Sequence, residues 1–198
     1  MAIGIGQMLG FHFPENFNHP YLARSIQDFW RRWHLSLSSW IRDYLYIPMG
    51  GNRGGTFATY RNLLLTMAIA GLWHGSDSWN FLLWGLAHGM ALCVARAWPQ
   101  RLPVPPGLSR LLTLLFVMLA WTLFRAPDMQ AALRMYAGQF GLHGWAMGDT
   151  LHALLRPGHA LAAVVAVVCA ILPAFRPHWA PRPAGPRPAA PIALCAIP

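Results

Sequence analysis

The chain has 198 residues, of which 56% are hydrophobic and only 11% charged, whereas soluble domains carry roughly 25% charged residues. Its net charge is +9, and all 15 basic residues are arginines. This composition argues against a soluble domain. Short arginine clusters between apolar runs are typical of juxtamembrane loops, so we expect a lipid bilayer and no nucleic acid as the partner.

The first 40 residues predict the end of a helix, a loop and a second helix. Residues 1–10 are apolar and have the character of the end of a hydrophobic helix, and the prolines and asparagines of residues 11–20 break any helix there. From Ser25 to Trp40, apolar and aromatic side chains recur at helical spacing, with arginines among the remaining positions. We therefore predict one amphipathic helix over 25–40, lying at the membrane interface.

Beyond a glycine-rich loop at 48–55, long apolar runs dominate the chain as far as residue 176. The predicted fold class is all-α and integral to the membrane, with about four membrane-embedded helices and the one amphipathic interfacial helix. We expect residues 1–176 to form the membrane domain, and the Pro/Ala/Arg-rich residues 177–198 to form a disordered tail. The membrane helices are predicted over 63–73, 79–97, 111–124 and 160–175, and a short surface helix over 128–140.

The arginines predict the orientation of the chain in the membrane. Residues 24–61 hold six arginines, and residues 96–110 and 176–187 hold three each. By the positive-inside rule these segments face the cytoplasm, which places the polar break 74–78 towards the far side. We therefore expect a multi-pass protein.

His74 is the leading candidate for a functional residue. A helix from Asn62 to His74 would rise about 20 Å, against a hydrocarbon core of about 30 Å. If Arg61 and Asn62 lie at a membrane face, His74 lies inside the bilayer or just short of its far side. An ionisable side chain at that depth is expensive and is by default a functional site, here a general base. The alternative is a histidine at the interface that hydrogen-bonds a backbone carbonyl.

Other polar residues have stronger structural explanations on local pattern alone. His34 could be an amphipathic anchor beside Trp33, and His88 lies in an apolar helix where a packing role is favoured. Arg42 and Arg53 could form surface ion pairs or bind the phosphates of a nucleotide-bearing donor. The three cysteines and the histidines have no metal-ligand spacing, so we expect no metal site.

Two long motifs resemble the membrane-bound O-acyltransferase family, and within it the bacterial branch that acetylates alginate. One is FWRRWHLSLSSWIRDYLYIPMGGNR at 29–53, and the other is GLWHG at 71–75, followed by Trp79, LWG at 83–85 and HG at 88–89. The resemblance covers residues 1 to about 140 and implies part of that family's fold.

The resemblance also implies an activity, its site and its surroundings. His74 is the presumed catalytic histidine, and His34 is the second polar residue lining the same tunnel. The implied reaction transfers an acyl group, in this branch acetyl, to a hydroxyl from a thioester donor, either acetyl coenzyme A or an acyl carrier, with no bound cofactor. The implied setting is the bacterial inner membrane, with periplasmic acetyltransferase partners and an exopolysaccharide acceptor.

The resemblance has two departures, which are the length of the chain and its Pro/Ala/Arg-rich end, since that end does not look like the usual family ending. Family members are more than twice as long and carry additional membrane helices before the position that Met1 matches. We therefore expect this chain to carry the catalytic motifs without full activity by itself. The alternative from another functional class is a catalytically inactive subunit that binds a partner in the membrane. A transporter is disfavoured, because the apolar runs lack paired carboxylates or rings of charge.

Overall fold

The computed structural model describes residues 2–11, 13–75, 79–99 and 104–142, with isolated positions between 158 and 168. Within these residues every regular element is helical, which confirms the all-α class. The helices are α1 (Ala2–Met8), α2 (Ile26–Trp30), α3 (Leu35–Ile41), α4 (Gly55–Trp73), α5 (Trp79–Ala97), α6 (Pro106–Arg125) and α7 (Met129–Gln139), with a 3₁₀ turn at Pro20–Leu22 and a π-helical turn at Arg42–Tyr46.

Helices α4 and α5 form a closely packed antiparallel hairpin. A Cβ atom on Gly71 would collide with the carbonyl oxygen of Phe81, and one on Gly85 with the carbonyl oxygen of Met67. At Gly89 a Cβ would lie 3.1 Å from the Cα of Leu64. Glycines at the crossing let two backbones approach closely, a packing mode common in membrane helices.

Helix α2 packs between α5 and α6 and forms the centre of the buried core. Phe29 and Ile26 of α2 are buried against Val117 of α6, with Ala23 from the segment before α2. Partly buried side chains of the three helices and of the segment after α2 surround this centre. They are Trp30, Trp33, Ala91, Leu92, Ala95, Phe116 and Trp121.

The prediction of one continuous helix over 25–40 is wrong. The structure breaks it at residues 31–34, and His34 adopts the left-handed conformation with φ 44° at the start of α3. The cause is a loop distant in sequence. The Asn16 side chain accepts hydrogen bonds from the backbone N–H (2.9 Å) and hydroxyl (2.6 Å) of Ser36. The Asn16 carbonyl accepts from the backbone N–H of Leu35. The backbone N–H groups of Leu35 and Ser36 therefore donate to Asn16. In a continuous helix they would donate to carbonyls of the preceding turn.

The later helices follow the predicted pattern. The predicted and observed bounds of α5 agree, and α4 and α6 are longer than predicted. The surface helix α7 is confirmed, with Asp128 as its N-cap and its carboxylate accepting from the backbone N–H of Ala131 at 2.7 Å. Tyr136 of α7 donates to the carbonyl of Leu119, which fixes α7 on α6.

Among the described residues, one helix is long and apolar enough, by its length and composition, to cross a membrane. It is α6, with a mean hydropathy of 1.8. The predicted helix over 160–175 lies mostly outside the described residues, and the predicted tail at 177–198 lies wholly outside them.

Candidate active site

His74 follows the last residue of α4 and is half-buried among aromatic rings from three helices. Its ring centroid lies 4.9 Å from that of Phe124 and 5.4 Å from that of Trp84, both in edge-to-face geometry. Trp73 (4.9 Å) and Phe81 (6.3 Å) complete this aromatic pocket. The surroundings that the described residues give this imidazole are therefore mainly aromatic.

A buried amide holds this pocket together. Asn80, only 1% exposed, donates from its side chain to the carbonyl oxygen of Ala126 at 3.0 Å. The bond joins the start of α5 to the end of α6, the two elements that carry Phe81 and Phe124. A buried hydrogen bond of this kind is costly to break, because it leaves desolvated polar groups unpaired.

His34 lies in a strained and closely surrounded segment. Its left-handed backbone is uncommon for a residue other than glycine, and such strain is concentrated at functional sites. The ring makes an edge contact with Phe17 at 5.9 Å. Its Nδ1 atom is buried and has no hydrogen-bond partner among the described residues. A buried acceptor or donor held in this way is suited to a substrate group.

The fold brings His34 near His74 although 40 positions separate them in the sequence. The two imidazoles are close enough that a charge on His34 acts electrostatically on His74. Two adjacent imidazoles in an apolar site can divide proton transfer and hydrogen bonding between them. The two candidate residues are therefore near each other in the fold, with different aromatic rings around each, and their catalytic roles stay a prediction.

His88 is fully buried, as the packing interpretation predicts, but it is also hydrogen-bonded. The indole Nε1–H of Trp30 donates to its Nδ1 at 3.3 Å. Its ring lies 4.8 Å from Trp84, which in turn contacts His74. Sequence reasoning missed the roles of Trp30 and Trp84. The i, i+4 spacing of Trp84 and His88 on α5 was the available signal.

Arg53 lies at the opposite end of α4 from His74, and Arg42 follows α3, the seven-residue helix that begins after His34. Arg53 precedes the start of α4, and the helix is about 28 Å long at 1.5 Å per residue. Arg42 is hydrogen-bonded to the neighbouring carboxylate of Asp43, with its Nε 2.7 Å from Oδ1. This hydrogen bond lowers the pKa of Asp43 below its usual value. A donor bound by Arg53 would therefore be held at a distance from His74.

The glycine-rich loop that carries Arg53 is anchored by a buried side chain. Asn62, 1% exposed, donates to the carbonyl oxygens of Met49 at 3.0 Å and Gly51 at 3.1 Å. Both bonds fix the loop against the first half of α4. Within the described residues, no group of three or more His, Cys, Asp or Glu side chains is arranged to hold a metal ion.

Comparison with known proteins identifies the family of this chain. The membrane-bound O-acyltransferase family matches residues 1–133, and the chain belongs to that family. A probable alginate O-acetylase of Azotobacter vinelandii is 47% identical over 184 residues, 91% of this chain and 36% of the relative. The probable alginate O-acetylase of Pseudomonas aeruginosa is 50% identical over 157 residues, 78% of this chain and 30% of the relative.

A third relative is named for a different polymer. The peptidoglycan O-acetyltransferase of Helicobacter pylori is 48% identical over 149 residues, which cover 73% of this chain and 28% of that protein. The chain thus spans about a third of the length of these curated relatives.

Proposed function

We propose that this chain carries the catalytic centre of a membrane O-acyltransferase that transfers an acetyl group to a cell-envelope polysaccharide. The observation that supports it best is the half-buried imidazole of His74 in an aromatic pocket, with His34 near enough to act on it electrostatically. The names of the related proteins, alginate O-acetylases and a peptidoglycan O-acetyltransferase, support the acetyl group and the polysaccharide class.

In the proposed reaction His74 acts as the general base. It takes the proton of the acceptor hydroxyl while the hydroxyl oxygen attacks the carbonyl carbon of the acyl thioester. An ester C–O bond forms, the C–S bond breaks, and the departing thiolate recovers the proton from the imidazole. His34 polarises the carbonyl or orients the hydroxyl. An apolar surrounding favours this chemistry, because water is excluded and each hydrogen bond is stronger.

We assign Arg42 and Arg53 to the donor. The donor is a thioester of coenzyme A or of an acyl carrier, and both carry phosphate that guanidinium groups bind well. Arg53 is exposed and has no ion-pair partner among the described residues, whereas a phosphate at Arg42 must displace Asp43. Arg53 lies at the other end of α4 from His74, so an acyl group whose donor it binds reaches the histidine through the protein.

We place the chain in the bacterial inner membrane as part of a multi-pass protein, with periplasmic partners that deliver the acetyl group to the polysaccharide. Exposed apolar faces on the long helices support the lipid contact. On α6, Leu111, Leu115 and Met118 are each about half exposed and share one face. We count α4, α5 and α6 as three of about four membrane-embedded helices.

The test replaces His74 by alanine in the chromosomal gene of the host bacterium, so that every natural partner is present. Ester-linked acetate on the envelope polysaccharide is then measured after mild alkaline release. We expect it to fall below about 1% of wild type, because general bases contribute about 10²–10⁴-fold. The control is His159→Ala, at an exposed histidine outside the site.

Wild-type acetate content in the His74→Ala strain, with the protein present in the membrane, would contradict the proposal. That result would instead support a non-catalytic subunit that binds a partner acyltransferase, since a scaffold tolerates loss of the imidazole.

A further inference from the structure

His88 is a polar residue in a position where packing alone would favour an apolar one. It is 0% exposed, and aromatic rings from α2, α5 and α6 surround it. The centroid distances are 5.3 Å to Trp30, 4.8 Å to Trp84 and 5.2 Å to Phe116. An apolar side chain would carry no desolvation cost at this position, so the imidazole must be explained by its hydrogen bonding.

The hydrogen bond between Trp30 and His88 determines which nitrogen of His88 carries the proton. An indole nitrogen can only donate, so the Nδ1 atom of His88 must be the acceptor and Nε2 carries the hydrogen of the neutral ring. The Nε2 atom is buried and has no partner among the described residues. His88 thus accepts one buried indole N–H that a phenylalanine would leave unpaired.

The partners of His88 lie next to both histidines of the proposed site. Trp30 ends α2, and only residues 31–33 separate it from His34. Trp84 lies between His88 and His74, at 4.8 Å from the first ring and 5.4 Å from the second. His88 is therefore linked to both candidate residues by one tryptophan each. Trp30 links it to the segment that carries His34, and Trp84 links it to the ring of His74.

We propose that His88 is a positioning residue for acyl transfer. Its hydrogen bond with Trp30 and its packing on Trp84 set the distance between His34 and His74. This inference rests on the proposed function. His88 itself contacts no reacting atom, so its loss lowers the rate of the chemical step and leaves donor binding at the far end of α4 unchanged.

The experiment compares three substitutions in membranes of the host bacterium, with radiolabelled acetyl coenzyme A as donor. His88→Phe keeps an aromatic side chain but loses the nitrogen that accepts the hydrogen bond. Trp30→Phe removes the indole N–H that donates this hydrogen bond. His88→Asn is the conservative variant, since its side-chain oxygen can occupy the place of Nδ1. We expect His88→Phe to lower kcat at least about 10-fold with KM for the donor unchanged, because misplacement by about 1 Å can cost about 100-fold.

The remaining variants separate positioning from general damage to the fold. We expect His88→Asn to recover most of the lost kcat, and the double variant Trp30→Phe/His88→Phe to be no slower than His88→Phe, because both changes remove the same bond. Wild-type kcat in His88→Phe would overturn the inference, as would equal loss in His88→Asn or a raised KM alone. In each of these cases, loss of acetyl transfer in His74→Ala would still support the proposed function.

A second measurement does not depend on activity. In detergent-solubilised chain labelled with ¹⁵N-tryptophan and ¹³C-histidine, the indole N–H of Trp30 should be protected from solvent exchange in wild type and His88→Asn but not in His88→Phe. The ring signal of His74 should shift in His88→Phe only. An unchanged His74 signal would overturn the positioning role even if the chain transfers no acyl group.

Discussion

His34 combines a strained backbone with an unpartnered ring nitrogen. A left-handed residue other than glycine costs about 1–2 kcal/mol, and this one is retained between hydrogen bonds to Asn16 on its C-terminal side and to Asn18 on its N-terminal side. The backbone N–H of Asn18 donates to the carbonyl of Arg32 at 2.9 Å. The loop thus holds His34 in a conformation that an isolated helix would not adopt.

The strain predicts that stability and activity respond in different ways to substitution of His34. His34→Gly removes both the strain and the imidazole, whereas His34→Ala removes only the imidazole. We expect the glycine variant to be more stable than the alanine variant by about 1 kcal/mol, and both to lose acetyl transfer. Thermal unfolding in detergent measures the first, and polysaccharide acetate content the second. A less stable glycine variant would mean that the left-handed conformation is not strained.

At the scale of single elements, α2 is only five residues long, and polar groups at its N-terminus stabilise it. The Ser25 hydroxyl accepts from the backbone N–H of Asp28 at 3.1 Å, and Asp28 forms an ion pair with Arg32 at 2.8 Å. Partial burial raises the pKa of Asp28. Hydrogen bonds from the Arg32 side chain and the Arg24 backbone outweigh this effect and leave the pKa below the usual 3.8.

A lowered folded-state pKa means that the ionised Asp28 stabilises the fold above pH 4 and that this contribution is lost as the pH falls through the folded value. We expect Asp28→Asn to cost up to about 1 kcal/mol at pH 7, as for other exposed pairs, and less at about pH 3, because the contribution falls as the carboxylate is protonated. Denaturant unfolding in detergent at the two pH values measures this. Asp43→Asn is the control, because its pair with Arg42 is more exposed. A pH-independent cost at Asp28 would contradict the ion-pair explanation.

The hairpin of α4 and α5 predicts a second effect at this scale. In Gly71→Ala and Gly85→Ala the new methyl group meets a backbone carbonyl, which cannot turn away as a side chain can. We expect each to destabilise the chain by about 1–3 kcal/mol and to reduce acetyl transfer, since His74 follows α4 directly. Gly107→Ala in α6 is the matched control, because nothing lies within 4 Å of its added Cβ. Equal stability of all three variants would contradict the close helix crossing.

At the scale of the whole molecule, the sequence predicts elements better than their arrangement. The bounds of α5 follow from a long apolar run between the polar break at 74–78 and a proline at 99, so local pattern suffices. The break at 31–34 follows from Asn16, fifteen positions earlier, and no periodicity within 25–40 shows it. The proximity of His34 to His74 likewise depends on the packing of α2 between α5 and α6. From the sequence alone, only the family resemblance indicated that these two histidines lie near each other.

The position of α6 in the bilayer is also a property of the whole molecule, and it can be tested with charge. One face of α6 is buried at Val117 and Ala120, and the other exposes Leu108, Leu111 and Leu115. If the exposed face meets lipid, an arginine near the helix centre costs about 3 kcal/mol, whereas one near an end reaches the headgroups. We therefore expect Leu115→Arg to reduce the carbonate-resistant membrane fraction strongly and Leu108→Arg to have little effect. Equal effects would place this face against protein or water, because only a bilayer makes the cost depend on depth along one helix.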